Sequence, residues 1–254
     1  MRVDAFAKLT LSLRVKGVRA DGYHELDAMM VSVTEPHDSL SIEPAARMSI
    51  EVTGQFAGDV PADASNLAWR AAEACGVPLA IRIDKRIPAG AGLGGGSADA
   101  AAVLAVLGGD ARIAATLGAD VPFCLRGGAA RVTGLGDEVE FIAPRALAVV
   151  IATPRFGCVT ADVYRAWDHL GGPYSPPNDL EPAAHHVEPR LVAFKRAIED
   201  AAGAPAILAG SGSSYAVVFD DATEAEQART RVAESIDGSV WLGPTTDAGV
   251  VVNP

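Results

Sequence analysis

The first residues of the chain alternate between apolar and polar side chains. From Val3 to Val15 every second residue is apolar, and most of the residues between them are polar or charged. A period of two over thirteen residues is typical of a long β-strand with one buried face, so we predict a strand over 3–15. Lys8 and Thr10 then project together from the opposite face of that strand. We therefore expect a fold based on a β-sheet, with these two polar side chains on one face of its first strand.

The rest of the chain mixes helix and strand patterns, which predicts an α+β fold. Helices are predicted over 66–75, 97–107, 110–117, 160–170, 188–202 and 223–235. Strands are predicted over 29–33, 40–42, 48–52, 79–83, 131–133, 147–152, 206–208, 215–219, 240–242 and 248–251. A stretch rich in Gly, Pro and Ser over 171–178 is predicted to be a loop. Composition changes near residue 145, so we expect two domains, residues 1–145 and residues 146–254.

The balance of charges excludes one class of function. The chain has 21 Lys and Arg against 32 Asp and Glu, a formal net charge of −11. A protein that binds nucleic acid through a basic face gains its affinity by neutralising phosphates, so we expect no nucleic-acid partner. The longest apolar stretch, 146–153, is less than half a membrane span, and charged residues interrupt the N-terminal strand. We therefore expect no membrane partner and no signal peptide, and a cytoplasmic protein.

Three cysteines, Cys75, Cys124 and Cys158, lie far apart and form no CxxC pair. Their spacing and their odd number exclude a disulfide framework and a zinc site built on cysteines, and they fit a reducing cytosol. Because each is flanked by small or apolar residues, we predict that all three are buried.

A run of glycines is the strongest local signal for function. Five of the seven residues over 90–96 are glycine, between a predicted strand and a predicted helix whose N-cap would be Ser97. Glycine allows a positive φ and a close approach of the backbone to a ligand. The free N–H groups and the positive dipole end of a helix start attract an anion, and Lys85 and Arg86 add positive charge. We therefore predict that this loop binds phosphate.

The glycine run does not fit three common phosphate motifs. A Walker loop requires a lysine before the serine at the end of the run, where this chain has Gly96. The glycines at 90, 92 and 95 satisfy the dinucleotide-binding pattern GxGxxG. However, Asp110, the acid about 20 residues further on, follows a predicted helix and not the strand that this fold requires. The H-R-D and D-F-G motifs of protein kinases are absent from the sequence.

Three further features have an ordinary structural interpretation beside a functional one. Asp120 follows a predicted helix and a glycine, and alone it is more typical of a turn or a helix cap than of catalysis. A second glycine-rich segment, 209–214, lies between two predicted strands and alone would be a hairpin loop. His185 and His186 are adjacent in a segment flanked by prolines, where we expect a solvated loop and not a metal site.

Together these segments resemble the GHMP kinases, a superfamily that includes galactokinase and the homoserine, mevalonate and phosphomevalonate kinases. Its phosphate loop lies at a helix N-terminus and corresponds here to residues 88–97. Within the superfamily, the chain is most similar to the 4-diphosphocytidyl-2-C-methyl-D-erythritol kinases of the non-mevalonate isoprenoid route. The stretch 19–24 (RADGYH) is the most specific part of this similarity. The other matching segments are 7–11, 92–101, 117–122, 178–181 and 210–212, so the similarity covers nearly the whole chain.

The resemblance implies a two-domain GHMP kinase fold with the active site in the cleft between the domains. The implied reaction is transfer of phosphate from ATP to the 2-hydroxyl of 4-diphosphocytidyl-2-C-methyl-D-erythritol. Lys8 and Asp120 are the implied catalytic pair, while Tyr23 and Tyr164 would enclose the cytosine ring and His24 would hydrogen-bond to its edge. The residues implied to contact ATP are Asn66, Lys85, Pro88, Ala89, Gly90, Ala91, Gly92, Leu93, Gly94, Gly95, Gly96, Ser97 and Ala98. Those implied to contact the other substrate also include Thr10, Thr160, Gly210 and Ser211.

Four positions depart from the usual pattern of this family. Thr10 stands in place of an asparagine, Phe6 in place of a proline, and Ala98-Asp99 in place of Ser-Asn. ATP and Mg²⁺ are the implied cofactors. No dense carboxylate cluster marks a metal site in the sequence, so we expect ATP and water to hold the Mg²⁺, without a metal site built by the protein.

Other functions stay open on the sequence alone. Another GHMP kinase, of the homoserine or mevalonate type, would share the phosphate loop. A nucleotide-binding module that has lost catalysis would share the fold, although Lys8 and Asp120 are both present. An RNA-binding protein is a third alternative, because the first domain of the superfamily resembles a ribosomal-protein fold, and the net charge of −11 argues against it. The expected partner is a small-molecule substrate.

Overall fold

A computed structural model describes residues 1–253 of the chain and has the mixed helix and strand content that the sequence predicts. Its strands are β1 (Arg2–Val18), β2 (His24–Pro44), β3 (Ser49–Thr53), β4 (Leu79–Asp84), β5 (Ala129–Gly134), β6 (Glu138–Ile142), β7 (Ala148–Pro154), β8 (Ile207–Leu208), β9 (Tyr215–Phe219), β10 (Gly238–Thr246) and β11 (Val250–Asn253). Its helices are α1 (Leu67–Ala74), α2 (Gly95–Leu107), α3 (Ala111–Leu117), α4 (Val121–Arg126), α5 (Thr160–His169), α6 (Glu181–Val187), α7 (Arg190–Ala202) and α8 (Ala222–Ser235). A short 3₁₀ helix, Ala57–Asp59, precedes α1.

The long strand predicted at the start of the chain is confirmed, and it pairs with a second long strand. β1 and β2 run antiparallel along almost their whole lengths. The sequence predicts two strands, 29–33 and 40–42, but the structure has one strand, β2, over both. The register shifts opposite Phe6, and the segment of β2 that forms this bulge contains Pro36. A proline has no N–H for the ladder but is accommodated at a bulge, so the strand continues past it.

One path of paired strands connects the two halves of the chain. Its order is β11-β1-β2-β10-β7-β9-β8, and β3, β4, β5 and β6 are attached beside it through β2. β10 pairs with β7 along most of its length and with β2 at Thr245 and Thr246. β11 pairs antiparallel with β1. The last strands thus return to the sheet of the first half, while the division near residue 145 stays a prediction.

Helix α2 forms the centre of the first half and is buried on almost every side. It packs against α1, α4 and β1, and its residues from Ala98 to Leu104 are all buried. The alanines of this helix let the neighbouring elements approach closely. The prediction that Ser97 is its N-cap was wrong. The N-cap is Gly94 in a left-handed conformation, which directs Gly95 and Gly96 into the first turn ahead of the serine.

Four short elements were not predicted from the sequence. They are the 3₁₀ helix Ala57–Asp59, β6, α4 directly after Asp120, and α6. Each has too few residues to show a clear period, since α4 and α6 complete fewer than two turns. The prediction of a loop at His185 and His186 was wrong, because both lie in α6, where the His185 Nε2 is 2.8 Å from the Tyr215 hydroxyl.

The three cysteines are free thiols. Cys124 and Cys158 are buried as predicted, whereas Cys75, which caps the C-terminus of α1, is only half-buried. Burial raises the pKa of the Cys124 thiol, which keeps it protonated and unreactive. Within residues 1–253, no helix combines the length and the apolar character needed to cross a membrane.

Candidate active site

A cleft of about 530 Å³ brings most of the predicted site residues together. It lies between β1, the glycine loop (residues 88–97), the segment before α4, the start of α5 and the segment 209–214 that joins β8 to β9. The predicted residues that line it are Lys8, Thr10, Pro88, Ala89, Gly90, Ala91, Gly92, Leu93, Gly94, Gly95, Gly96, Ser97, Asp120, Thr160, Tyr164, Gly210 and Ser211. Parts of the chain that lie far apart in sequence therefore face one space.

The glycine loop is held from two sides. On one side β1 binds it, because the Lys8 N–H donates a hydrogen bond to the Leu93 carbonyl. On the other side Gly92 approaches the segment 209–214 so closely that a Cβ there would lie 1.9 Å from the Ala209 carbonyl oxygen. Gly92 also has a φ of +78°, a conformation that other residues rarely adopt. Only glycine allows both this positive φ and this close approach to the Ala209 backbone.

The N-terminus of α2 opens into the cleft at the end of this loop. Gly94, the residue just before α2, has a φ of +71° and, lacking a side chain, makes no side-chain capping bond. Gly96 in the first turn is exposed to the cleft, whereas Gly95 is buried. The first N–H groups of a helix have no partner within it, so this end of α2 offers donors and a positive dipole to an anion.

Lys8 and Asp120 form an ion pair at the floor of the cleft. Lys8 Nζ lies 3.5 Å from Asp120 Oδ2, and it donates to Thr10 Oγ1 at 3.4 Å. The Lys8 side chain is only 8% exposed and that of Asp120 is 30% exposed. Asp120 occupies the N-cap position of α4, yet its side chain makes no capping hydrogen bond. A capping role therefore does not account for its orientation, and the carboxylate faces Lys8.

Tyr164 of α5 forms a wall of the cleft on the side of the second half. Burial and, to a lesser degree, the negative charge of Asp120 raise the pKa of Tyr164 to about 12. The phenol therefore stays neutral near pH 7 and can donate a hydrogen bond.

A second cavity, of about 400 Å³, adjoins the cleft. Tyr23 and His24 line this cavity and not the cleft itself, and Tyr164 lines both. The rings of His24 and Tyr164 are 4.7 Å apart between centroids, while Tyr23 is 63% exposed at the rim. The three residues predicted to hold one ring-shaped ligand thus surround one space.

The segment 209–214 is anchored on several sides and is not a free hairpin loop. Thr160 Oγ1 and Ser211 Oγ lie 2.9 Å apart, which connects the segment to the start of α5. The buried Asn178 amide donates to the backbone carbonyls of Leu208, just before the segment, and of Gly210 within it. The Ser214 N–H donates to the Ala91 carbonyl in the glycine loop. The second half of the chain therefore closes the cleft through fixed backbone contacts.

Lys85 lies beneath the glycine loop and not in the cleft. Its Nζ is 2.6 Å from Asp38 Oδ2 and 2.5 Å from Asp99 Oδ2, and all three side chains are almost fully buried. Burial by itself would lower the pKa of Lys85, but the charges of Asp99 and Asp38 outweigh it and raise that pKa. Burial raises the pKa of the Asp99 carboxyl against the opposing effect of Lys85. Two carboxylates thus pair with its ammonium group, and the contact of Lys85 with ATP stays a prediction.

Two more side chains predicted to contact ATP lie outside the cleft. Asn66 is the N-cap of α1, where its Oδ1 accepts from the Ala68 N–H and its amide donates to the Pro61 carbonyl. Ala98 is fully buried within α2. Neither side chain lines the cleft, and the contacts of these two residues with ATP stay predictions. Leu67, the neighbour of Asn66, lines the cleft in its place.

Two carboxylates near the site, Asp168 and Asp38, were not predicted from the sequence. Asp168 lines the second cavity, and it follows Tyr164 by four residues on α5, so helical spacing could have revealed it. Asp38 lies between His37 and Ser39 in β2, and nothing in this part of the sequence indicates its buried partner. Nothing in the sequence indicated that five larger apolar residues outside the glycine loop line the cleft; they are Leu13, Leu26, Met30, Leu67 and Leu135.

Comparison with known proteins identifies the family. A family model described as the GHMP kinases N terminal domain matches residues 65–128. The 4-diphosphocytidyl-2-C-methyl-D-erythritol kinase of Paracoccus denitrificans (strain Pd 1222) is 36% identical over 260 residues, which cover 93% of each chain. The chain belongs to the 4-diphosphocytidyl-2-C-methyl-D-erythritol kinase family. A second member, from Pelotomaculum thermopropionicum, is 37% identical and covers 89% of this chain and 92% of its own.

Solved structures agree with this family. A crystal structure of 4-(cytidine 5'-diphospho)-2C-methyl-D-erythritol kinase matches with a TM-score of 0.79 at 32% identity, over 96% of this chain and 99% of that one. A homoserine kinase from Cytophaga hutchinsonii has a TM-score of 0.67 at 20% identity and shares the fold. The predicted GHMP kinase fold is confirmed, and the chain is an ATP-dependent small-molecule kinase.

The buried position of Lys85 can be tested by substitution. We expect Lys85→Met to lower the free energy of unfolding by about 3–5 kcal/mol, because it leaves two buried carboxylates without their cation. Urea denaturation measures this loss. Arg86→Met is the matched control, since Arg86 pairs with Asp84 at the surface and its removal should matter much less. A Lys85→Met protein as stable as this control, but weaker in ATP binding, would instead support a direct contact with ATP.

Proposed function

We propose that this kinase transfers the γ-phosphate of ATP to the 2-hydroxyl of 4-diphosphocytidyl-2-C-methyl-D-erythritol. The relatives described above carry the name of this activity and match nearly the whole chain. The observation that carries the proposal is the Lys8–Asp120 pair, which faces the same cleft as the glycine loop, next to the cavity of Tyr23 and His24. A phosphate donor in the loop and an alcohol held from the cavity would meet at this pair.

In this proposal the ATP phosphates bind along the glycine loop and against the N-terminus of α2. The backbone of the loop supplies N–H donors, and the helix start supplies a positive dipole. Leu67 and Pro88 add apolar surface at the edge of the cleft. Lys85 supports this site from below through Asp99.

Lys8 and Asp120 carry the chemistry that we propose. The oxygen of the substrate 2-hydroxyl attacks the γ-phosphorus while the bond to the leaving ADP oxygen breaks. The hydroxyl proton passes to the Asp120 carboxylate, which lies at the surface of the cleft. Lys8 Nζ offsets the negative charge of the carboxylate and of the transferred group, and the Thr10 hydroxyl accepts one of its hydrogen bonds.

Mg²⁺ enters this proposal together with ATP. Within residues 1–253 no group of three or more His, Cys, Asp and Glu residues is arranged to hold a metal ion. The oxygen donors that line the cleft include the Asp120 carboxylate and the Ser97 hydroxyl. These are ligands that Mg²⁺ accepts, so the residues fit an ion that is held mainly by ATP phosphates and water. When bound, Mg²⁺ would neutralise charge on the phosphate oxygens.

The cytidyl group of the substrate would occupy the second cavity. Tyr164 and Tyr23 offer ring faces, and His24 offers a ring nitrogen beside them. Since Tyr164 also lines the cleft, a ligand that fills both spaces would pass along this side chain. Thr160, Gly210 and Ser211 would border its remaining part on the side of the second half.

Release of ADP with three different acceptors tests the substrate. We expect turnover of 4-diphosphocytidyl-2-C-methyl-D-erythritol at least ~100-fold above that of homoserine or mevalonate, because the smaller acceptors would leave the polar groups of the second cavity unpaired. Equal turnover of mevalonate or homoserine would assign the chain to another branch of the superfamily. No ADP release with any acceptor would indicate a nucleotide-binding module without catalysis.

Asp120→Asn tests the catalytic role of this carboxylate. Asparagine keeps the shape but cannot accept the hydroxyl proton, so we expect turnover to fall ~10²–10⁴-fold. The free energy of unfolding should stay within about 1 kcal/mol, because no cavity forms. Asp110→Asn is the matched control: Asp110 caps α3 through the N–H groups of Arg112 and Ile113, and asparagine caps equally well. Turnover above about half of the unsubstituted rate in Asp120→Asn would rule out the catalytic role.

Gly96→Val tests the phosphate site without disturbing the fold. A Cβ at Gly96 would have its nearest neighbour at 3.6 Å, the Leu67 Cδ1, so the added methyl groups point into the cleft. We expect ATP affinity, measured by calorimetry, to fall at least ~10-fold, a loss of about 1.4 kcal/mol. Ala105→Val on the same helix, away from the cleft, should leave the affinity unchanged. An unchanged affinity in folded Gly96→Val would place the phosphates elsewhere.

A further inference from the structure

The second cavity contains a hydrogen bond that determines which nitrogen of His24 carries a proton. His24 Nε2 lies 2.8 Å from Asp168 Oδ1. An ionised carboxylate can only accept, so Nε2 is the donor and holds the proton. The His24 side chain is 10% exposed, whereas that of Asp168 is 46% exposed at the edge of the cavity. In the neutral ring the other nitrogen, Nδ1, is then an acceptor.

The orientation of the His24 ring is fixed by the same helix that supplies Asp168. Tyr164 packs against the ring at 4.7 Å between centroids, and the buried Trp167 meets it edge-on at 5.5 Å. All three contacts come from α5, within five consecutive residues. Among residues 1–253, no hydrogen bond to His24 Nδ1 is formed. The acceptor nitrogen is therefore left for a ligand in the cavity.

We propose that Asp168 is a positioning residue that makes the second cavity select cytosine over uracil. Cytosine carries an exocyclic amino group where uracil carries a carbonyl oxygen. By holding the proton on Nε2, Asp168 leaves His24 Nδ1 as an acceptor that pairs with the amino group and repels the carbonyl oxygen. This inference rests on the proposed cytidyl substrate and adds the residue that enforces the choice of base.

Asp168→Asn separates this role from a general role in folding. The amide is nearly the same size but can present either a carbonyl oxygen or an N–H to Nε2, so the proton on the ring is no longer fixed. If the proton on the His24 ring moves to Nδ1, the relative affinity for the two bases changes. A loss of packing instead weakens the binding of both bases equally. Asp162→Asn is the matched control, because it removes a negative charge from the same helix at a residue that pairs with Arg165 and not with His24.

Binding of cytidine 5'-diphosphate and uridine 5'-diphosphate is measured by calorimetry, with a non-hydrolysable ATP analogue saturating the other site. We expect the unsubstituted protein and Asp162→Asn to prefer the cytidine ligand at least ~10-fold, and Asp168→Asn to prefer it by no more than about threefold. An undiminished preference in Asp168→Asn, or an equal weakening of both ligands, would overturn the role of Asp168 and leave the proposed function intact. No preference in the unsubstituted protein would overturn the role of Asp168 and the cytidyl substrate together.

The tautomer of His24 can also be observed directly. The ¹⁵N shifts of the histidine rings, with His24 assigned by comparison with His24→Gln, should show the proton on Nε2 in the unsubstituted protein. In Asp168→Asn we expect a mixture of the two neutral forms. A proton on Nδ1 in the unsubstituted protein would contradict the inference, whatever the binding data show.

Discussion

The place of the glycine loop depends on a buried cluster of charges. Lys85, just after β4, lies between Asp38 of β2 and Asp99 of α2. Asp38 also accepts hydrogen bonds from the N–H groups of Arg86 and Ile87, the residues that lead into the loop. A buried ion cluster is a costly way to stabilise a fold, because its members lose their hydration. Here the cluster fixes the position of the loop, because the residues just before the loop and just after it are attached to the same point of the sheet.

With the loop attached in this way, the first half of the chain contributes the glycine loop and the Lys8–Asp120 pair to the cleft, and the second half adds further walls. β1 holds the loop through Leu93 and presents Lys8 to the cleft, while α4 packs on α2 and begins next to Asp120. β1, the glycine loop, α2 and α4 therefore share one hydrophobic core. From the second half come α5 and the segment 209–214, which border the cleft on the side opposite the first half. The first half reaches the second cavity through the turn before His24 and through Leu26 and Leu135.

Much of this arrangement could be predicted from the sequence where the signal was local. Alternation along β1 was sufficient to place Lys8 and Thr10 on one face, and the motif segments identified the parts of the cleft. The direction in which a side chain points, and its partners far away in the sequence, could not be predicted. Lys85 stands beside the glycine loop in sequence, but only the fold shows that its ammonium group points away from the cleft toward Asp38 and Asp99. Asp168 is likewise invisible as a partner until α5 is packed against His24.

The glycine loop and the segment 209–214 come from opposite halves and touch backbone against backbone. Gly92 leaves no room for a methyl group beside the Ala209 carbonyl, and Ser214 donates to Ala91 across the same contact. An insertion or a larger residue in either segment would displace the other. In the course of evolution the two segments can therefore change only as a pair. A lineage that altered the segment 209–214 would carry the trace of that change in its glycine loop.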